Sequence, residues 1–515
     1  MRIRSILILS VLSGRADAQS ASVQTPSAIQ TIREQDLRRD LFAMAGDPLR
    51  GREAGTLDEM RASIWTAEQL RKTGLEPMGE EGTFFQWFNM RRTRLSTVAS
   101  SVRIGGKPFA LWTDITPASN NVGDVVGTTV FAGDGSDSSI DVRGRVAVVT
   151  LRPTSEGTRT TINTPEYRAV RQGITVQSAA LTRRGAAAVI VVADSLGEMN
   201  FDAVAKLQSR GAYTVIGGAN RFAPAGRGAG GGGGGRGGRA GGAPAQPQPV
   251  PVLFAHRSAL AQLRETGQGV EIHLKSEQFD TPSVNIIGVV RGTDPVLRHE
   301  YVVFSSHQDH DGVRFAVAGD SIWNGADDNG STSVALLAIA RAWVKQPSKR
   351  SALFIYHGAE ERGLLGSLWH AAHPVVPLSS MAAVLNGDMI GRNHPDTASI
   401  LGIQPPHRNS TALVQMALDA NNRTGKFVLD SLWDRPSHSE GWYFRSDHVP
   451  YARLNVPALF FTTNLHDDYH TPRDNPDRID YAKLARMTKW MYLTGWIVAN
   501  VRERPAIDVG FQLER

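Results

Sequence analysis

The chain has 515 residues, of which 41% are apolar, so it is long enough for two or three domains with separate cores and is not a disordered protein. Its formal charge of +6 (56 basic minus 50 acidic residues) is small for this length and partly concentrated in one glycine-rich stretch, which is weak evidence for a nucleic-acid partner. No cysteine is present, which excludes disulfides, thiolate metal sites, cysteine nucleophiles and lipoprotein anchoring.

Residues 1–18 have the pattern of a signal peptide. Arg2 and Arg4 precede a short apolar run from Ile6 to Leu12, and Ala16-Asp17-Ala18 has the small-x-small form that signal peptidase cuts. We expect cleavage after Ala18 and a periplasmic or secreted mature protein; a misassigned start and an uncleaved anchor are the alternatives. No later stretch of about 20 apolar residues predicts a membrane span.

Residues 19–110 are expected to form the N-terminal part of the main domain. Their pattern is helical from Glu34 to Gly74, with a turn-rich break from Leu49 to Thr56. Residues 111–280 have a different sequence pattern, in which short β-branched runs alternate with polar turns around a helical stretch from Val176 to Gly185. They predict a smaller inserted α/β or β-rich domain.

Residues 217–249, within this insertion, are dominated by glycine, alanine, arginine and proline. Such a composition cannot bury enough apolar surface to offset its ordering entropy, so we predict a disordered, solvated loop. The alternative is a phosphate-binding loop, but no Gly-Lys-Ser/Thr follows and no helix begins there.

Residues 281–505 alternate between apolar strands and helices. This alternation predicts an α/β fold whose mostly parallel central sheet is flanked by helices. The predicted strands are Ile286 to Val290, Tyr301 to Ser305, Ala352 to Tyr356, Ala382 to Leu385 and Ala458 to Thr462, and the predicted helices include Ser331 to Lys345 and Tyr481 to Val501.

Five patches of metal-binding residue types lie near the ends of these elements. They are His307-Gln308-Asp309-His310, Asn324 to Asn329, Glu360 to Gly363, Asn386 to Met389, and Asp468 to Asp474. Each patch alone has an ordinary explanation, such as a surface pair, a helix cap or a turn. Several of them follow the carboxyl ends of predicted strands, however, where open α/β sheets bind ligands. Together they predict a two-metal hydrolase site built from nitrogen and oxygen ligands.

These patches resemble the motifs of the co-catalytic di-zinc aminopeptidases, a family that includes relatives of glutamate carboxypeptidase and the transferrin receptor. Leu49 to Thr56 and Thr73-Gly-Leu-Glu-Pro77 are also similar to the family's N-terminal segment. The resemblance runs from about residue 34 to 505. In its position and its pattern of short strands and turns, the insertion resembles the protease-associated domain found in many members.

The resemblance implies two zinc ions per chain, with Mn²⁺ or Co²⁺ also compatible with nitrogen and oxygen ligands. Asp327 would bridge the two ions. His307 and Asp388 would complete one site, and Glu361 and His470 the other. A bridging carboxylate offsets the repulsion between dications about 3.5–4 Å apart.

Other residues receive roles beside the metals. Glu360 would carry the proton from the attacking water to the departing amine, and Asp309 would accept a hydrogen bond from the His307 ring. Asp328 would shape the backbone without being a ligand. Tyr469 would donate to the oxyanion, unless it is a packing or turn residue. The segment Ser437 to His448, with Trp442, Tyr443 and Phe444, would line the substrate pocket, unless this aromatic cluster belongs to the core.

The function expected is therefore that of a secreted metallo-aminopeptidase acting on peptides with a free N-terminus. A carboxypeptidase of the same fold would need a basic cluster for the substrate carboxylate, and none is evident in the sequence. A glutaminyl cyclase would use one zinc, and a receptor-like module would have lost ligands. A serine hydrolase would need a Gly-x-Ser-x-Gly elbow, which does not occur. The preferred first residue and the oligomeric state are left open.

Overall fold

The computed structural model describes residues 23–152, 166–217 and 249–514. The predicted signal peptide and almost all of the glycine-rich stretch lie outside the described residues. Contacts divide the described chain into two compact units. The first comprises residues 23–90, 214–217 and 281–514, and the second comprises residues 91–152, 166–213 and 249–280.

The helices alternate with strands along most of the chain. The α-helices of the described residues are α1 (Glu34–Ala45), α2 (Leu57–Thr73), α3 (Glu166–Arg183), α4 (Ser195–Met199), α5 (Phe201–Ser209), α6 (Leu260–Leu263), α7 (Thr332–Lys345), α8 (Leu365–Ala372), α9 (Thr411–Arg423), α10 (Val449–Arg453) and α11 (Tyr481–Asn500). The strands are β1 (Glu76–Pro77), β2 (Phe85–Leu95), β3 (Ser101–Ile104), β4 (Lys107–Phe109), β5 (Ile115–Pro117), β6 (Gly123–Phe131), β7 (Val146–Thr150), β8 (Ala188–Val192), β9 (Ala212–Val215), β10 (Val252–Ala255), β11 (Gly269–Leu274), β12 (Ser276–Val290), β13 (Tyr301–His307), β14 (Gly312–Val317), β15 (Asp320–Trp323), β16 (Ser351–His357), β17 (Met381–Gly387), β18 (Thr397–Leu401), β19 (Val428–Leu429) and β20 (Ala458–Thr462).

The central sheet has ten strands, and its path runs β19-β18-β20-β17-β13-β16-β12-β2-β9, with β1 paired to β12. The four middle strands, β20, β17, β13 and β16, are parallel to one another. On either side of them β18 and β12 are antiparallel to their neighbours. The predicted α/β fold with a mostly parallel centre is confirmed.

Both faces of this sheet are covered, as expected from its continuous apolar strands. Along β13, Val302 and Phe304 belong to the core cluster that includes α7 and α11. The intervening Val303 belongs to the cluster on the other face, with residues of α10. Gly495 allows α11 to approach closely, because a Cβ there would lie 2.2 Å from Cζ of Phe304. Loops, rather than α-helices, occupy the edge of the sheet at which the parallel strands end.

The second unit contains an eight-stranded sheet in the order β4-β3-β11-β6-β7-β8-β10-β5, in which β6, β7, β8 and β10 are parallel. Its boundary, predicted at residue 111, lies at residue 91, since β3 and β4 pair with this sheet through β11. Its main helix begins at Glu166, ten residues before the predicted Val176. Among the described residues, none of the helices has the length and apolarity needed to cross a membrane.

Candidate metal centre

Two groups of potential metal ligands meet at the carboxyl ends of the middle strands. The first group is His310, Asp328, Glu361 and His470, and the second is His307, Glu360 and Asp388. Within each group the ligand atoms all lie within 4.8 Å of one another. His307 is the last residue of β13, and Asp388 directly follows β17. Parallel strands end at a common edge of the sheet, which explains how such distant sequence positions come together.

The carboxylate of Asp328 lies between the two groups. Its Oδ1 is 3.2 Å from Nε2 of His307, and its Oδ2 is 3.0 Å from Nε2 of His470. The main-chain N–H groups of Asp327 and Asp328 donate to the carboxylate of Asp474 at 2.9 to 3.1 Å. These bonds fix the turn, so that one carboxylate presents one oxygen to each group.

Asp327, the predicted bridging residue, points elsewhere. Its Oδ1 accepts a hydrogen bond from the main-chain N–H of Gly391 at 2.6 Å, and its Oδ2 lies 3.4 Å from Nε2 of His466. Gly325 has a left-handed conformation with φ 58° and turns the chain just before these aspartates. The structure corrects the prediction: Asp328, expected not to be a ligand, occupies the position expected for Asp327.

Asp309 positions residues of both groups. Nδ1 of His307 lies 3.1 Å from the carbonyl oxygen of Asp309. Because a carbonyl only accepts, Nδ1 carries a proton, and Nε2 is the ring atom that can bind a cation. The predicted contact with the carboxylate is longer, 3.8 Å, since that carboxylate accepts the main-chain N–H groups of Glu360 and Glu361 at 3.0 and 3.3 Å. Asp309 therefore orients the ring through its backbone and the two glutamates through its side chain.

Two further residues orient the candidate ligands and were not predicted. Oδ2 of Asp311 lies 3.5 Å from Nδ1 of His470, and the hydroxyl of Ser446 donates to Oδ2 of Asp388 at 2.8 Å. Asp311 directly follows the first patch, so its position in the sequence could have indicated a role beside the candidate ligands. Nothing in the local sequence marks Ser446, because its role depends on the fold.

The residues of both groups fit divalent cations. Within the part of the chain that the structure describes, several buried atoms lack a hydrogen-bond partner: Nε2 of His307, Nδ1 and Nε2 of His310, Oε1 of Glu361, Oδ1 of Asp388 and Nε2 of His470. Burial raises the pKa of Asp388 to about 6 and that of Glu360 well above its ordinary value, despite the opposing charge of His307. Buried carboxylates at this density cost free energy that bound cations would offset. Imidazole and carboxylate ligands suit Zn²⁺ and similar ions.

Tyr469 lies beside the four-residue group. Its ring stacks on the ring of His470 with centroids 3.9 Å apart, and its hydroxyl accepts a hydrogen bond from Nη2 of Arg445 at 3.0 Å. The guanidinium of Arg445 covers the ring of Trp442 at 4.7 Å, and its Nη1 donates to Glu440 at 2.8 Å. Tyr469 is thus both a packing residue and part of a polar pair, and sequence reasoning missed its partner Arg445.

The aromatic segment predicted to line a pocket lies mainly in the interior. Trp442 and Tyr443 are 2% and 1% exposed. Tyr443 stacks on His407 with centroids 4.1 Å apart, and Trp442 lies beneath Arg445. Tyr443 is therefore a core residue, whereas the side chain of Arg445 is 33% exposed.

Residues 285–494 match the model of Peptidase family M28. This stretch of the chain belongs to that family. The M28 stretch contains every residue of both groups, so the family predicted from the motifs is confirmed. That the second unit is a protease-associated domain stays a prediction.

Similar proteins include aminopeptidases from bacteria. Aminopeptidase YwaD of Bacillus subtilis is 30% identical over 225 residues, which cover 42% of this chain and 45% of the relative. Across the curated relatives, the matched parts span between 24% and 59% of the relative's own length.

Two solved structures share the fold over most of both chains. One is an aminopeptidase from Aneurinibacillus sp. strain AM-1, with a TM-score of 0.53, 17% identity, and coverage of 94% of this chain and 98% of the other. The other is BSAP, a zinc aminopeptidase from Bacillus subtilis, with a TM-score of 0.54, 18% identity, and coverage of 91% and 96%. At these identities the likeness concerns the fold.

Proposed function

We propose that this chain is a metallo-aminopeptidase that removes N-terminal residues from peptides and works with two divalent cations. The observation that carries the proposal is the carboxylate of Asp328, which offers one oxygen to each group. One cation would be held by His307, Asp328 and Asp388, and the other by Asp328, Glu361 and His470. Zinc is the preferred ion, because a similar fold belongs to a named zinc aminopeptidase and the donors are nitrogen and oxygen.

Two divalent cations in these positions would polarise the scissile carbonyl and lower the pKa of the attacking water. The carboxylate of Asp328, shared between them, would offset their mutual repulsion. The protein's own residues would move the proton and stabilise the charge that develops on the substrate.

Glu360 has the position and the environment of the proton carrier. Its Oε2 lies 3.8 Å from Nε2 of His307, and its side chain is 12% exposed. Glu360 is therefore next to the candidate metal centre and partly accessible to solvent. Burial raises the pKa of Glu360 well above its ordinary value, and so does repulsion from Asp388 and Glu361. A carboxyl group with a raised pKa accepts a proton from the attacking water more readily than an ordinary glutamate and can then donate it to the departing amine.

Tyr469 and Arg445 would act together on the oxyanion. The hydroxyl of Tyr469 accepts from Arg445, and a phenol that accepts one hydrogen bond can also donate one. A hydrogen bond donated to the developing oxyanion stabilises the transition state more than the ground state. The stacked ring of His470 keeps the phenol next to the candidate metal position.

The arrangement favours an amino-terminal substrate over a carboxy-terminal one. Arg445 is a cation beside the site, but its two terminal nitrogens already donate to Glu440 and Tyr469. The ion pair with Glu440 at 2.8 Å already balances the charge of Arg445, which weakens its attraction for a substrate carboxylate.

A substrate panel tests this function. Unblocked aminoacyl p-nitroanilides should be hydrolysed, and their N-acetylated counterparts should not. A chelator should abolish turnover, and added Zn²⁺ should restore it. Cleavage of N-blocked peptides from the carboxyl end would overturn the proposal in favour of a carboxypeptidase, and cyclisation of N-terminal glutamine would favour a cyclase.

Glu360→Gln provides the control for the same panel. The amide keeps the size of the side chain but cannot shuttle a proton, so kcat should fall by about 10²–10⁴-fold. Metal analysis should still find two cations per chain, since Glu360 is not assigned as a ligand. Loss of a cation in this variant would show that Glu360 binds metal.

A further inference from the structure

His310 belongs to the four-residue group, although the family resemblance gives it no role. Its side chain is fully buried; Nδ1 of the ring faces the carboxylate of Glu361, and Nε2 makes no hydrogen bond within the described parts of the chain. A buried polar group without a partner is costly, so this ring calls for a partner that the protein atoms do not supply.

The distances around His310 fit a shared cation. Its Nδ1 lies 2.9 Å from Oε1 of Glu361 and 3.9 Å from Oδ2 of Asp328. The same Oε1 of Glu361 lies 3.0 Å from Nε2 of His470, so one carboxylate oxygen faces both rings. Tetrahedral zinc with bonds of about 2.0–2.1 Å separates its ligand atoms by roughly 3.3 Å, which falls between the two distances from Nδ1 of His310.

The ring of His310 is held in place by its surroundings. A Cβ on Gly325 would lie 2.3 Å from Cγ of this ring, so the glycine backbone packs directly against it. The main-chain N–H of His310 donates to the carbonyl of Arg52 at 3.3 Å, and its ring meets that of His470 edge-on with centroids 5.4 Å apart. A side chain positioned by packing loses little entropy when it binds a cation.

We propose that His310 is a fourth side-chain ligand of the cation assigned to Asp328, Glu361 and His470. This proposal rests on the two-cation function proposed above. The other cation has three assigned ligands, namely His307, Asp388 and the shared Asp328. The two positions are therefore unequal, and the His310 position binds its cation more tightly, because a neutral imidazole adds a bond without adding charge.

Metal titration of the full-length, metal-free protein tests the inequality. Co²⁺ is the probe, with calorimetry for affinity and visible absorption for coordination. The unaltered protein should bind two equivalents in two unequal steps. Loss of a residue that only hydrogen-bonds to a ligand typically lowers metal affinity by about 10–100-fold. His310→Ala should lower the affinity of the tight step by more than this, and it should alter the absorption spectrum of the first equivalent. His307→Ala should keep the tight step and weaken the second.

His310→Phe distinguishes loss of a ligand from a folding defect, because it keeps a ring against Gly325 but has no ligand atom. It should lose the tight step as His310→Ala does. His370→Ala is the matched control. His370 is equally buried and also has an unpaired ring nitrogen, but it lies on α8 outside both groups. This variant should leave the tight step unchanged.

Two outcomes separate the proposals. An unchanged first step and an unchanged spectrum in both His310 variants would overturn the role of His310 and leave the two-cation function intact. Binding of no cation by the unaltered protein would overturn the proposed function itself.

Discussion

Neighbouring acidic residues in this chain have different tasks, and the direction of each side chain decides which. Asp327 accepts from the main chain of Gly391, whereas Asp328 faces His307 and His470. The difference comes from irregular backbone, with φ −102° and ψ 93° at Asp328 inside a turn that starts at the left-handed Gly325. The metal binding proposed for this patch therefore depends on Asp328 and not on Asp327.

Asp328→Asn and Asp327→Asn should separate these tasks. The first removes the charge shared by the two proposed cations, so metal content should fall below two per chain and activity should fall with it. The second keeps an oxygen that can accept from Gly391, so both cations should remain. Metal analysis of the purified variants measures this, and equal metal loss in the two would contradict the assignment of Asp328.

Residue types were predictable at this scale, but side-chain directions were not. The patches that hold His307, Glu361, Asp388 and His470 were recognised because imidazoles and carboxylates recur near strand ends, and the resemblance to the di-zinc aminopeptidases then assigned these four residues as ligands. The choice between Asp327 and Asp328 depends on backbone torsions that residue identity does not reveal. The proximity of His310 to Glu361 depends on the way the chain leaves β13, which is likewise a property of the folded chain.

At the scale of elements, buried strands were predictable and partly exposed ones were not. Ala458–Thr462 was predicted with both ends correct, and β13 and β16 within two residues, because strands covered on both faces are continuous apolar runs. Phe85–Leu95 was missed, since its sequence is rich in arginine and polar residues. Its burial alternates over its first half, as expected of a strand with one covered face.

The loop before α2 holds the metal-centre loops together through Arg52. This guanidinium is fully buried, and it donates to the carbonyls of Gln308, Met44, Asn324 and Gly325 at 2.7 to 3.0 Å. Burial lowers the pKa of Arg52 to about 10, so it stays charged at neutral pH. Two of these carbonyls belong to the turn that carries Asp328, and one follows His307. The side chain of Arg52 thus holds in place both the turn that carries Asp328 and the chain that follows His307.

Arg52→Met should destabilise the protein by about 3 kcal/mol or more, because it leaves several buried carbonyls without a donor. Urea unfolding measures the change. Arg50→Met is the matched control, since Arg50 has a nearly equal φ of 48° against 50°, is half exposed and pairs with Asp58 at 3.3 Å. Exposed pairs contribute about 0–1 kcal/mol. Similar losses in the two variants would show that the carbonyl bonds of Arg52 do not matter.

At the scale of the whole molecule, the chain's last described residues are tied back to the M28 stretch. His407 lies between two carboxylates, with Nδ1 2.9 Å from Asp434 and Nε2 2.8 Å from Glu514. Its ring also stacks on Tyr443, in the segment that leads to Arg445. The same Asp434 accepts three main-chain N–H groups of residues 402–404, so it is held whether or not His407 is charged.

This arrangement makes part of the stability depend on pH. Burial opposes a charged ring, but the carboxylates of Asp434 and Glu514 outweigh it and raise the pKa of His407 above its ordinary value. A group with a raised pKa contributes stability that is complete below its unfolded pKa of about 6.5 and is lost as the pH rises through the folded pKa. The C-terminal contact should therefore weaken toward alkaline pH.

Comparing the unaltered protein with His407→Gln isolates this contribution from other histidines, including the nearby His448. The difference in urea midpoint should be largest between about pH 5 and 6.5 and should shrink as the pH rises. Glu514→Gln removes one of the two carboxylates, so it should show the same trend with a smaller amplitude. A difference that is constant with pH would mean that His407 acts only by packing on Tyr443. A difference that grows toward alkaline pH would mean that the ring is neutral in the folded state.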